Sequence, residues 1–204
     1  LKNRDFHASV RRIQQHGILV VGSFIIGLDV DEPGIGKQIA EVASHYGVDN
    51  LNVLFLTPLP GTRLWDQMRS EDRVALNVFP EDWRYYTLTY PVARYKRLSL
   101  DGIIQEMMSC NREFYSVPRI MRRMCDNLLH WRKPLITLIG NLSYRSNIRV
   151  DCNAYADFRR EHGHRHNTPS GSQRAPIATE RIKAVESPSS RVRRTGGVTT
   201  DPSR

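Results

Sequence analysis

The chain has 204 residues, 40% hydrophobic and 25% charged, with 30 Lys and Arg against 21 Asp and Glu for a formal charge of +9. Those proportions exclude a wholly disordered polymer, and no apolar run reaches the roughly 18 residues that a spanning helix needs. The longest apolar stretch, residues 18–28, is broken by Gly22, Ser23 and Gly27. The opening residues lack the apolar core of a secretory signal. The first residue is Leu1 rather than Met, as expected of a piece of a longer chain.

The excess charge is concentrated at one end. Residues 159–204 hold 10 Lys and Arg and 4 Asp and Glu, so six of the nine surplus charges lie there. This stretch has no Phe, Trp or Tyr, few aliphatics, and many Ser, Thr, Pro, Gly and Arg. It cannot bury enough apolar surface to offset its ordering entropy and reads as a disordered basic tail. The competing reading is a basic arm for nucleic acid or anionic lipid, but the aromatic residues on which single-strand binders stack bases are missing. Nucleic acid is therefore not an expected partner.

The first predicted element is a helix, with Phe6, Val10 and Ile13 on one stripe and Gly17 ending it. Residues 18–26 then read as a strand buried on both faces, because the run is almost continuously apolar and rich in β-branched residues. A second helix places Ile35, Ile39, Val42, Ala43 and Tyr46 on one stripe and closes at Gly47. Residues 51–57 form the next strand, stopped by Pro58-Leu59-Pro60-Gly61. Strand, helix, strand at this spacing is a βαβ unit with parallel strands. Ligands in such sheets bind beyond the carboxyl ends of the strands, here residues 26–31 and 56–62. Two strands do not make a stable sheet by themselves, so a further partner for them is expected.

Downstream, a short helix carries Leu64, Trp65 and Met68, and an aromatic, irregular stretch follows over 77–98. Two amphipathic helices come next. One has the stripe Leu100, Ile103, Ile104, Met107, Met108, Phe114 and Tyr115 behind Ser99 as N-cap. The other has Ile120, Met121, Met124, Leu128 and Leu129, with the methionines read as core filler. Residues 134–139 form another apolar turn or two, and 151–158 the last ordered segment.

Chemistry-bearing motifs are few. Gly34-Ile35-Gly36-Lys37 fails as a phosphate loop, since Asp31 stands where a glycine is needed and Gln38 where a Ser or Thr is needed. Cys110, Cys125 and Cys152 lack the close spacing of a zinc site or a disulfide framework and read as reduced cysteines of a cytoplasmic protein. His162, His164 and His166 fall in the expected tail and read as solvated. Asp29 and Asp31, at the end of the first strand, either hydrogen-bond a ligand or cap the next helix. The residues alone define an α/β domain with a ligand face and a helical annex, without a reaction.

Two segments go further. Gly17-Ile18-Leu19-Val20-Val21-Gly22-Ser23-Phe24-Ile25-Ile26-Gly27-Leu28-Asp29-Val30-Asp31 is followed about 25 residues on by Leu56-Thr57-Pro58-Leu59-Pro60-Gly61-Thr62-Arg63-Leu64. The pair resembles the fifth and sixth strands of radical SAM enzymes, in the branch that often carries a cobalamin-binding domain. Trp83, the helix start at 98–102, Arg112-Glu113-Phe114-Tyr115-Ser116 and Asn141-Leu142-Ser143-Tyr144-Arg145-Ser146-Asn147 resemble the helical C-terminal domain that follows the barrel in that branch. The resemblance implies an α/β fold: the last strand–helix units of a partial (β/α) TIM-type barrel over 1–72, a mainly helical C-terminal domain of unknown function over 73–158, and the disordered tail over 159–204.

It also implies S-adenosylmethionine as cofactor, with Ile25 and Gly27 against the adenine and the backbone of Leu56 and Thr57 reading its edge. The downstream Glu of the family's signature is replaced by Asp31. The family's CxxxCxxC loop, which holds a 4Fe–4S cluster, is absent from this chain, and cobalamin is a further cofactor of the branch. The expected function is therefore that of the C-terminal piece of a radical SAM enzyme, inactive alone. Its parent would use a small-molecule substrate and a reductant protein, for cleavage of S-adenosylmethionine to a radical or methyl transfer through cobalamin. The alternative is a small α/β binding module whose basic tail engages a polyanion.

Overall fold

The computed structural model describes residues 5–129 and 134–167. Helix α1 (Phe6–Gln15) leads into strand β1 (Val21–Ile26), helix α2 (Ile35–Tyr46), strand β2 (Asn50–Phe55) and helix α3 (Arg63–Ser70). A 3-10 turn (Glu81–Tyr85) precedes helices α4 (Leu100–Phe114), α5 (Val117–Leu129) and α6 (Pro134–Asn167). The expected βαβ unit is present: β1 and β2 pair in parallel, in register from Val21 beside Asn50 to Ile26 beside Phe55. The fold is α/β, a two-stranded parallel sheet with helices in excess.

One face of the sheet is covered. Gly22, Phe24 and Ile26 of β1 lie on the same side as Leu51, Val53 and Phe55 of β2, and that side joins Ile39, Ala40 and Ala43 of α2 and Ile103, Met107 and Cys110 of α4 in the main core. The other face carries Val21, Ser23 and Ile25 in β1, all exposed. β1 was expected to be buried on both faces. It is half-covered because helices pack on one side of it only, among the described residues.

The helical layer is fixed by a close crossing of α2 and α4. Glu106 of α4 accepts from the backbone N–H of Gly34 at 2.8 Å and of Gly36 at 2.9 Å. This carboxylate satisfies orphan donors at the start of α2 and complements the positive end of its dipole. The phosphate loop rejected from the sequence is thus a helix start already holding an internal anion. A Cβ on Gly36 would stand 2.1 Å from the Glu106 carbonyl oxygen, so only glycine permits this approach.

The far edge of β2 is closed by a side chain. The Tyr115 hydroxyl accepts from Leu51 N–H at 2.9 Å and donates to Leu51 C=O at 2.8 Å, satisfying one pair of edge groups as a neighbouring strand would. At the amino end of β2, buried Asp49 accepts from Gln14 Nε2 and Val20 N–H, each at 2.9 Å. Buried Asn141 of α6 donates to the Asp49 carbonyl at 3.1 Å and accepts from Arg123, whose burial pulls its pKa down to about 10.

Three expectations change. Met121, Leu128 and Leu129 of α5 are exposed, while Ile120 is buried, so the α5 stripe is only partly core. α6 is a single 34-residue helix, where only its two ends were legible. It runs through Asn167, so residues 159–167 are helical rather than part of a tail; residues 168–204 of the expected tail lie outside the described residues. The helix end is anchored, because Arg165 grips Asp82 with two hydrogen bonds of 2.8 Å and Arg94 caps the carbonyls of Arg165 and His166. His162 is accordingly not solvated. It is buried against Tyr85 and Phe158.

Two predictions follow from this packing. Gly36→Ala forces α2 away from α4 and should lower unfolding free energy by about 2–3 kcal/mol in urea denaturation, while unchanged stability would contradict the crossing. His166 has its pKa lowered to about 4 by burial, with Arg94, His162 and Arg165 adding to it. The unfolded chain then binds more protons between pH 6.5 and 4, so stability falls as pH drops through that window, by about 2–3 kcal/mol from this group. His166→Gln should flatten that part of a melting-temperature profile; an unaltered slope would assign it elsewhere.

Candidate functional site

The carboxyl ends of β1 and β2 lie side by side, as the sequence reading required of a ligand face. The residue after each strand, Gly27 and Leu56, continues the register, and Leu56 N–H donates to the Ile26 carbonyl at 2.8 Å. Gly27 has φ +100°, a conformation that favours glycine. It also allows the ring of Tyr95 to lie directly on the chain, since a Cβ there would stand 2.4 Å from that ring. The Tyr95 hydroxyl donates to Leu56 C=O at 3.2 Å, and burial raises its pKa, keeping it a protonated donor.

The four residues expected at an adenine therefore stand differently. Ile25 is 52% exposed on the open face, with Leu54 at its register position on β2. Gly27 is buried under Tyr95. The N–H and C=O of Leu56 are both engaged within the chain. Thr57 is buried, and its hydroxyl donates to the Phe55 carbonyl at 3.0 Å, which turns the chain at the strand end. All four cluster at one end of the sheet, with Ile25 the one that presents an exposed side chain there.

The two aspartates have separable roles. Asp31 Oδ2 accepts from Gly27 N–H at 2.8 Å and Leu28 N–H at 2.9 Å, so it closes the turn after β1. It does not cap α2, whose N-cap is Gly34. Asp29 belongs to a ring of charges. It contacts Arg73 Nη2 and Lys96 Nζ, each at 2.7 Å, while Glu71 contacts the same Arg73 at 3.0 Å and Lys96 at 3.8 Å. The Lys96 hydrogen bond, reinforced by Arg73, holds the Asp29 carboxyl below its ordinary pKa. Arg73 is buried and also donates from Nε to the Arg94 carbonyl. This ring ties the loop after β1 to the segments after α3 and before α4.

Residues that sequence reading passed over complete the open face. Ser23 and Asn52 occupy facing register positions in mid-sheet, and Ile25 and Leu54 lie one step nearer the carboxyl ends. Strand alternation carried the signal: every second residue from Val21 shares a face, and a Ser aligned with an Asn marks that face as partly polar. Tyr95 had no such signal, since it arrives from an irregular segment. Among the described residues, no three His, Cys, Asp or Glu converge as a metal ion would need. Burial pushes the Cys110 thiol up to about 12, so it is inert.

The chain is similar to proteins named as methyltransferases. It is 27% identical over 128 residues to bacteriochlorophyllide d C-12(1)-methyltransferase of Chlorobaculum tepidum, covering 63% of this chain and 27% of that protein. It is 28% identical over 114 residues to an uncharacterized methyltransferase of Pyrococcus horikoshii, covering 55% and 24%. Over 65 residues it is 37% identical to hopanoid C-2 methylase of Rhodopseudomonas palustris, covering 32% and 12%. The matched part of this chain thus spans about a quarter of the first two relatives. No family model matches the chain, and no solved structure does. None of its described helices is long and apolar enough to cross a membrane.

The Gly27 contact yields a direct check. Gly27→Ala meets both the positive φ and the Tyr95 ring and should cost about 2–4 kcal/mol of stability in chemical denaturation. Gly34→Ala, which shares the positive φ but meets nothing within 4 Å, should cost about 1 kcal/mol. Equal costs would contradict the ring contact.

Proposed function

We propose that the chain is one wall of an S-adenosylmethionine site in a methyl-transfer enzyme of the radical SAM class. The observation that carries this reading is the open sheet face that ends at exposed Ile25, with Leu54 beside it, in a chain whose relatives are methyltransferases with unrelated acceptors in their names. The missing layer on that face and the unpaired edge of β1 are where the remaining strands of a barrel would lie. The acceptor is a small molecule, and the parent enzyme draws electrons from a reductant protein.

The chain's own residues bind and orient. Ile25 and Leu54 offer aliphatic surface to the flat face of the adenine, excluding water from it. The backbone of Thr57 reads the base edge, because that of Leu56 is engaged by Ile26 and Tyr95. Ser23 and Asn52 face the same space with groups that donate and accept hydrogen bonds. Asp31 and the Asp29–Arg73–Glu71–Lys96 ring hold the loop after β1 at a fixed position, which lowers the ordering cost of binding. When bound, S-adenosylmethionine supplies the methyl group from its sulfonium.

An iron–sulfur cluster does not fit the residues present. Cys110, Cys125 and Cys152 stand on α4, α5 and α6, whereas a cluster needs thiolates converged on one centre.

Equilibrium dialysis of the full chain against radiolabelled S-adenosylmethionine tests the proposal. Saturable binding should weaken about tenfold in Ile25→Asp, the loss of one buried aliphatic contact. Ile18→Asp, an exposed apolar position ahead of β1, should leave it unchanged. Absence of saturable binding, or equal loss in both variants, would overturn it.

A further inference from the structure

A second surface lies on the helical layer. α4 and α6 flank a groove of about 600 Å³ lined by Arg112, Arg145, Arg149, Ser146, Leu142 and Cys152, among other residues, and among the described residues no carboxylate lines it. Arg145 is fixed by donating to the Tyr115 carbonyl at 2.7 Å, and its neighbour Tyr144 stacks on the Tyr115 ring. Arg112 reaches the Cys152 sulfur at 3.7 Å. The nearest acidic groups are committed or turned away: Glu113 pairs with Arg119, and Asp151 lies on the opposite side of α6 from Leu142 and Arg149 by helical periodicity.

The groove continues into an apolar ridge. Leu135, Ile139, Leu142, Ser146 and Arg149 recur at i, i+4, i+7, i+11 and i+14, which places them on one face of α6. Leu135 is 66%, Ile139 60% and Leu142 50% exposed. Exposed Leu128 and Leu129 end the preceding helix. One helix face is thus apolar over its first turns and cationic over the next. Scattered exposed apolar residues need no explanation, but a contiguous stripe running into three arginines does.

We propose that this face of α6, with Arg112, docks on a bilayer containing anionic phospholipid. Leu135, Ile139 and Leu142 enter the boundary between headgroups and acyl chains, and Arg112, Arg145 and Arg149 take the phosphate oxygens, with Ser146 as a further donor. Charge complementarity selects this occupant: a lipid surface offers hydrocarbon and phosphate side by side, as the ridge and groove do. A second copy of the chain would bring the same arginines against one another.

The full chain should sediment with vesicles of phosphatidylcholine and phosphatidylglycerol at 3:1 and not with phosphatidylcholine alone. Arg112→Gln/Arg149→Gln should lower the partition coefficient about fivefold per arginine removed, and Arg112→Lys/Arg149→Lys should restore most of it. Leu135→Ser/Ile139→Ser should weaken binding without changing its salt dependence. Circular dichroism verifies that these surface variants keep the fold, and the lysine pair controls for any loss of structure. Equal sedimentation with both vesicle types would overturn the proposal. So would unchanged binding in the glutamine and serine variants, which would place the contact in residues 168–204. Self-association abolished by the serine pair without vesicle binding would assign the ridge to a second copy, and binding of inorganic pyrophosphate without vesicle binding would reduce the groove to a phosphate site; either result would overturn it.

Discussion

Glu106 places its carboxylate on the first N–H groups of α2, and the backbone that carries it lies against Gly36. This crossing sets where α2 and α4 run, and both helices form the layer on which the sheet rests. The dipole of α2 is satisfied internally, so its amino end is not available to a phosphate. The exposed surface of the sheet is left on the face of β1 that no helix covers among the described residues.

From that layer the site follows by alternation. Residues facing α2 and α4 are the core, and those between them, Val21, Ser23, Ile25, Asn52 and Leu54, are left facing outward. Tyr115 closes the far edge of β2 with two hydrogen bonds to Leu51, so a two-stranded sheet persists without a neighbour on that side. The edge of β1 has no such closure among the described residues.

Much of this was legible in the sequence, and the failures share a cause. The βαβ unit could be read because its periodicities are strong and Gly47 and Pro58 punctuate them. The side-by-side carboxyl ends of the strands followed from the topology, whereas Asp31 was expected to bind a ligand or cap the next helix and instead closes the turn after β1. Burial of β1 on both faces was misread, since an apolar run reports what a strand can bury and not which layers are present. The length of α6 was illegible because residues 142–150 have little apolar periodicity. They are held by long-range contacts, Arg145 on the Tyr115 carbonyl and Tyr144 on the Tyr115 ring. His162 looked solvated because the ordered segment was read as ending at Phe158; the helix continues, which puts His162 one turn on from Phe158 and against Tyr85 from a distant segment.

The wall proposed for S-adenosylmethionine lies at the carboxyl ends of β1 and β2. Amide hydrogen exchange of the full chain, with and without saturating S-adenosylmethionine, reads that wall directly. Added protection is expected only in the turn closed by Asp31, residues 27–31, and in the segment from Leu56 through Thr62, with α5 and α6 unchanged. Protection centred on the α4–α6 groove, or none at the strand ends under saturation, would contradict the proposal.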